Sequence, residues 1–220
     1  MTGSRDVYVE IGSKRAFAAS FDWPGWCRSG RDEAAALQAL VEAGPRYAKS
    51  LGKAASGFTP PASVSTLRVV ERVKGGATTD FGAPEAETER DRGDLTSRAA
   101  DRLARLLEAC WKAFDRAVGK AAGVELRKGP RGGGRDLEAI VDHVRGAERA
   151  YLSKLGGKAD DGSMEAIRRE FLAVFGLRAR GEPPPRTPRS GRLWTPRYAV
   201  RRSAWHAIDH VWEIQDRSAS

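Results

Sequence analysis

Three histidines occur in this 220-residue chain, and two of them, His206 and His210, stand four residues apart near its C-terminus. Four residues is roughly one helical turn at about 3.6 residues per turn, so both imidazoles project from one face. That spacing suits a two-pronged metal clip. The third, His143, lies in an earlier helical pattern, and packing those two helices together gathers three imidazoles around one ion. Neutral imidazole binds Zn²⁺, Ni²⁺, Cu²⁺ and Fe²⁺, with zinc or nickel expected here. Three protein nitrogens leave one or more positions for water or substrate, as in catalytic rather than structural zinc sites. The competing role for each histidine is a hydrogen-bonded core side chain.

Neighbouring residues extend this reading. Asp209 and Glu213 flank the clip and suit the task of orienting an imidazole N–H, as carboxylates often do around metals; each is equally suited to a solvent-facing pair with Arg202 or Arg217. Tyr151, eight residues after His143, falls on roughly the same face and offers a hydroxyl to a ligand at the open position, or packs in the core with a wet hydroxyl. Trp111, Trp205 and Trp212 are expected in the core. Cys27 and Cys110 belong to no Cys-x-x-Cys pair and read as buried structural thiols. With all three histidines committed to the clip, no Ser/His/Asp or Cys/His nucleophile set can be assembled.

The elements that must position these groups fall into two parts, an α+β pattern followed by helices. Val7, Val9 and Ile11, a turn at Gly12-Ser13-Lys14, and Phe17, Ala19 and Phe21 predict a hairpin. Trp23-Pro24-Gly25 breaks the second strand. Asp32 is the expected N-cap of a helix over 33–43, with Ala36, Leu37, Leu40 and Val41 on its apolar face and Gly44-Pro45 kinking or restarting it. Val64 to Val73 predicts a further strand. Residues 1–76 thus form a small α+β domain, and the polar stretch 77–93 reads as a linker.

Within 94–220, four amphipathic patterns follow. The first covers 95–122. The second runs from about Leu137 to a stop at Gly156-Gly157, and the third over about 163–177 from a Ser163 cap. The fourth runs from Pro196 to about Arg217, with the Thr195 hydroxyl as N-cap and Pro at the first helical position. Four helices with one apolar stripe each pack as a four-helix bundle. Gly129 to Gly134 is a flexible crossing between helices. The Pro-rich loop Arg178 to Leu193 is extended and carries Arg180, Arg186, Arg189 and Arg192, placed to recognise acidic groups if it lies near a bundle end.

No apolar run approaches the roughly 20 residues of a membrane span, and no signal-peptide pattern precedes the first strand, so a cytoplasmic protein without membrane association is expected. The net charge of +9 includes much of that Arg-rich loop. Basic charge supplies affinity for nucleic acid without defining a docking motif, and no nucleic-acid partner is expected.

A helix with one histidine, followed by a last helix reading Trp205-His206-Ala207-Ile208-Asp209-His210, resembles the DinB/YfiT-like four-helix superfamily over about residues 94–217. The resemblance implies a divalent ion on His143, His206 and His210. It further implies a small-molecule substrate, a homodimer, and a metal-dependent enzyme of the thiol-transferase or hydrolase type with a low-molecular-weight thiol as cosubstrate. The N-terminal order of hairpin, Trp23-Pro24-Gly25-Trp26, Gly30-Arg31-Asp32-Glu33 and Ala/Leu helix resembles the HicB-like domain over about residues 6–74. That implies an alternative, a non-enzymatic interaction or regulatory module with a structural metal or none, a closed site, and an exposed apolar patch at Trp23, Pro24 and Trp26. The enzyme reading predicts an open metal position with a pocket beside it. In a third arrangement the N-terminal part buries Trp23 and Trp26 against the bundle and lids the site.

Overall fold

The structure, a computed structural model, describes residues 5–128, 134–187 and 192–218. The alternating N-terminal segment forms the expected hairpin: β1 (Asp6–Ile11) pairs antiparallel with β2 (Ala16–Ser20), and β3 (Cys27–Gly30) pairs antiparallel with β2. After α1 (Glu33–Leu51), strand β4 (Arg68–Lys74) lies parallel to β1, giving the order β3-β2-β1-β4. A parallel neighbour requires a crossover connection, and α1 supplies it.

Because strand side chains alternate between faces, the sheet presents two apolar surfaces. Val7, Val9, Ala16 and Ala18 join one core with Ala36, Leu37 and Leu40 of α1, whereas Tyr8, Phe17, Ala19, Phe21 and Cys27 form a second cluster with Trp205. The sheet is therefore a middle layer between α1 and the chain's last helix.

Asp32 caps α1 as expected, accepting from the Ala35 N–H at 2.8 Å. Pro45 does not restart the helix as a separate element, for α1 runs through it to Leu51. Tyr47, fully buried two residues further on, anchors that segment by donating to the Pro24 carbonyl at 2.9 Å. Tertiary packing there offsets the one ladder bond that proline removes.

The four later helices are α3 (Ser97–Ala121), α4 (Leu137–Leu155), α5 (Met164–Ala179) and α6 (Pro196–Ser218). Side-chain caps at Thr96, Asp136 and Ser163 begin the first three, and Gly156 in the left-handed region (φ +99°) ends α4. Their buried stripes join one hydrophobic core that continues into the α1 face of the sheet. Among them, α3 and α6 share the most extensive helix–helix contact.

Two local expectations are corrected. Residues 77–93 are not a plain polar linker; they contain the helical turn α2 (Ala77–Phe81), a 3₁₀ turn at Glu89–Arg92, and buried Thr79, Thr88 and Asp91. The Glu10 carboxylate, fully buried in β1, accepts from the Thr79 hydroxyl and from the N–H groups of Glu85 and Ala86, at 2.9 and 3.0 Å for the latter two. Asp91 forms a two-point ion pair with Arg201 of α6, which also donates to the Tyr8 hydroxyl. The segment is a strap tying sheet to bundle. Secondly, the Thr195 hydroxyl is buried with no hydrogen-bond partner among the described residues, so it does not cap α6; its backbone N–H donates to Glu87 instead.

Candidate metal centre

α6 is the wall on which the site is built, and the N-terminal part fixes it from behind. Phe17 of β2 meets Trp205 edge-on with ring centroids 6.1 Å apart. Gly25 has φ +92°, and a Cβ there would come within 3.0 Å of Ile208 and 3.2 Å of the Ala204 carbonyl, so only glycine lets the Trp-Pro-Gly-Trp loop lie this close to α6. Trp23 and Trp26 are buried, packed edge-on against Phe58, and the Trp26 indole donates to the Leu40 carbonyl at 2.9 Å. The exposed apolar patch expected of an interaction module is therefore absent at these residues; their hydrophobic area serves the contact between sheet and bundle.

Held in this way, α6 directs His206 and His210 towards His143 of α4. The His206 Nε2 lies 3.1 Å from the His143 Nε2 and 3.3 Å from the His210 Nε2. One ligand atom from each of the three histidines lies within 4.8 Å of the other two. His206 and His210 are buried and His143 is partly exposed, so the approach from solvent runs past His143. A tetrahedral ion with nitrogens at about 2.0–2.1 Å spaces them about 3.3 Å apart. The separations of 3.1 and 3.3 Å are close to that edge.

The protonation pattern favours a ligand role. Glu213 accepts from the His210 Nδ1 at 2.7 Å, and a carboxylate only accepts, so the proton sits on Nδ1 and the Nε2 lone pair faces the other rings. Glu213 is held in turn by Arg217 at 2.8 Å, and these hydrogen bonds keep its carboxyl below its usual range. Burial, helped by the charges of His210, Arg202, His143 and Arg135, holds His206 well below the ordinary imidazole value. Burial and Arg135 also lower His143. Both rings are therefore neutral near pH 7, the form that coordinates metals. The donor set fits a divalent ion.

The other candidates separate clearly. Glu213 fulfils both roles considered for it, orienting His210 and pairing with Arg217, whereas Asp209 pairs with Arg28 of β3 at 3.5 Å and with neither Arg202 nor an imidazole. Tyr151 stands edge-on to His206 with centroids 5.7 Å apart and against Trp194 at 5.1 Å, and burial pushes its phenol up. Trp111, Trp205 and Trp212 are buried, and so are both cysteines, whose thiols burial pushes far up and out of reach as nucleophiles.

In the Arg-rich loop, Arg178 donates to the Leu155 and Trp194 carbonyls, Arg180 pairs with Glu182, and Arg192 pairs with Glu87, so these three already have partners. Arg189 and the Gly129-to-Gly133 part of the helix crossing lie outside the described residues. A hollow of about 800 Å³ opens beside α6 near Arg46, Lys49, Arg116 and Lys120, and one of about 600 Å³ lies beside the 156–162 loop. Neither includes a histidine, so these hollows do not supply the pocket that the enzyme reading expects beside the ion.

No described helix is long and apolar enough to cross a membrane. Compared with family models, curated proteins and solved structures, the chain finds no match.

Proposed function

We propose that this chain is a divalent-metal-binding protein of the DinB/YfiT-like kind, and that His143, His206 and His210 hold zinc or nickel for a metal-dependent transferase or hydrolase. The observation that carries the reading is the convergence of three Nε2 atoms, two separations being 3.1 and 3.3 Å, from two helices far apart in sequence. The supporting detail is Glu213, which fixes the His210 tautomer as carboxylates do behind metal-bound imidazoles.

A divalent ion there supplies Lewis acidity, lowering the pKa of a coordinated water towards about 7 or favouring the thiolate of a small-molecule thiol. The chain's own residues then divide the work. The three imidazoles set the coordination face, Glu213 orients His210, and Tyr151 and Trp194 wall the neighbouring side. The HicB-like interaction reading loses its main surface with the burial of Trp23 and Trp26. The third arrangement, in which the N-terminal part packs these rings against the bundle, agrees with that burial, although here the sheet braces the back of α6.

Metal content by mass spectrometry tests the proposal, on protein purified without nickel affinity, with wild type beside His206→Ala and His210→Ala. We expect about one divalent ion per chain in wild type, lost in both variants while their helical circular dichroism is retained. No metal in wild type, even after incubation with zinc, nickel or ferrous iron, would reduce the triad to packing residues.

A further inference from the structure

Resting on the metal reading above, we infer that Arg202 is an anion seat beside the triad, and that the substrate carries a carboxylate or phosphate group. Arg202 stands one helical turn before His206 on α6. Its guanidinium carbon lies 4.5 Å from the Trp205 ring and 5.4 Å from the Tyr151 ring, while Tyr151 itself borders His206. The aromatic rings hold the cation in place. They do not neutralise it.

Among the described residues no carboxylate forms an ion pair or hydrogen bond with it, and Asp209, which feels its charge, pairs with Arg28. The nearby acids are engaged elsewhere: Asp209 with Arg28, Glu213 with His210 and Arg217, Asp91 with Arg201, and Glu148 with Arg168. The Arg202 Nη1 is buried and has no acceptor among the described residues. A buried donor without an acceptor costs about 1–3 kcal/mol, which marks the position as one that gains from a ligand oxygen. A small space of about 10 Å³ on the sheet side, bordered by Tyr8, Tyr198 and Trp205, has room for about one water. Such a water satisfies an N–H but leaves the charge.

Charge balance points the same way. Three neutral imidazoles compensate none of the charge of a divalent ion, and Arg202 adds another positive charge within reach of the same tyrosine ring. An anionic ligand answers both. A planar guanidinium recognises an oxyanion through paired N–H donors, so one end of the substrate rests on Arg202 while another donor atom reaches the triad. The turn of helix between Arg202 and His206 rises about 6 Å, which suits a short organic chain between the two ends.

Isothermal titration of zinc-loaded protein with succinate, inorganic phosphate and uncharged succinamide tests the inference, with zinc content measured on every sample. Wild type is expected to bind succinate or phosphate and to ignore succinamide; the tighter anion tells which oxyanion the seat takes. Arg202→Gln should retain its zinc and lose roughly tenfold to a hundredfold in anion affinity, the range of a charged hydrogen bond. Arg202→Lys, which keeps the charge, should lose less and covers the case in which the glutamine variant does not fold. Equal anion affinity in wild type and both variants, or no anion binding by zinc-loaded wild type, would overturn the seat and leave the metal site standing. Failure of wild type to take up zinc would overturn the metal reading and this inference together.

Discussion

Two polar clusters are buried on α6 only a few residues apart, and they are built on opposite plans. At Arg201, a guanidinium faces the Asp91 carboxylate and the Tyr8 hydroxyl, with Thr88 donating to the same carboxylate, so donors meet acceptors throughout. At His206 and His210, three imidazole nitrogens face one another, and the one firm polarity, Glu213 behind His210, turns a lone pair inward. The first cluster is complete as protein and joins the strap and sheet to the bundle. The second has a donor pattern that a cation would complete. Burial alone does not separate structural from functional polar groups; the matching of donors to acceptors does.

The sharpest way to break this comparison is to remove one partner from each cluster in metal-free protein and measure urea unfolding. Asp91→Ala leaves a buried guanidinium uncompensated and should cost about 3–5 kcal/mol. His143→Ala, from a partly exposed ring, should cost far less; equal losses would mean that both clusters are structural. Adding zinc should narrow the gap. At a hundredfold excess over its dissociation constant, zinc should stabilise wild type by about 2.7 kcal/mol, detected as a rise in Tm that His143→Ala lacks and Asp91→Ala retains.

Glu213→Gln comes next. It should weaken zinc binding roughly tenfold to a hundredfold, measured by competition with a coloured chelator, and unchanged affinity would remove Glu213 from the site. Arg217→Ala, which removes the brace behind Glu213 and a hydrogen bond to the Arg127 carbonyl but no ligand, should shift the same titration by a few-fold at most, in keeping with the modest worth of a partly exposed pair.

Acid separates the clusters too. For Asp91, burial alone would raise the carboxyl, but Arg201 and Thr88 outweigh it and hold it below its usual range. Its contribution is therefore fully present above the unfolded value of about 3.9 and lost as pH falls through the lower native value. Zinc should leave at higher pH than that, as its imidazoles protonate, although burial sets His206 and His143 below the ordinary imidazole value. Unfolding and zinc release followed across pH 3–7 should show two separate steps, and a single shared step would contradict the division.

Much of this was legible in the sequence where strong periodicity met local caps. The helix read over 95–122 is Ser97–Ala121, the Ser163 cap is where it was expected, and β1 and β2 follow the alternation of Val7, Val9, Phe17 and Ala19. The strap was not legible, because Thr79, Thr88 and Asp91 become buried only by meeting Glu10 and Arg201, which are remote in sequence. Nothing local distinguishes a threonine or aspartate bound for such a partner from one facing water. Thr195-Pro196 shows the converse: a correct start signal whose hydroxyl takes no part in the capping.

At the site, the histidines stood out because the chain uses so few, and Glu213 followed from its place three residues after His210. Arg202 was visible only as a possible mate for Asp209 or Glu213. That Asp209 would turn to Arg28 depends on the sheet packing behind α6, which the sequence does not display.

The most direct measurement of the central claim is the zinc K-edge X-ray absorption spectrum of the reconstituted protein. The account predicts a four-coordinate ion with three imidazole nitrogens at about 2.0–2.1 Å and one further light atom. A first shell containing sulfur at about 2.3 Å, or one without the outer-shell scattering of imidazole rings, would contradict it.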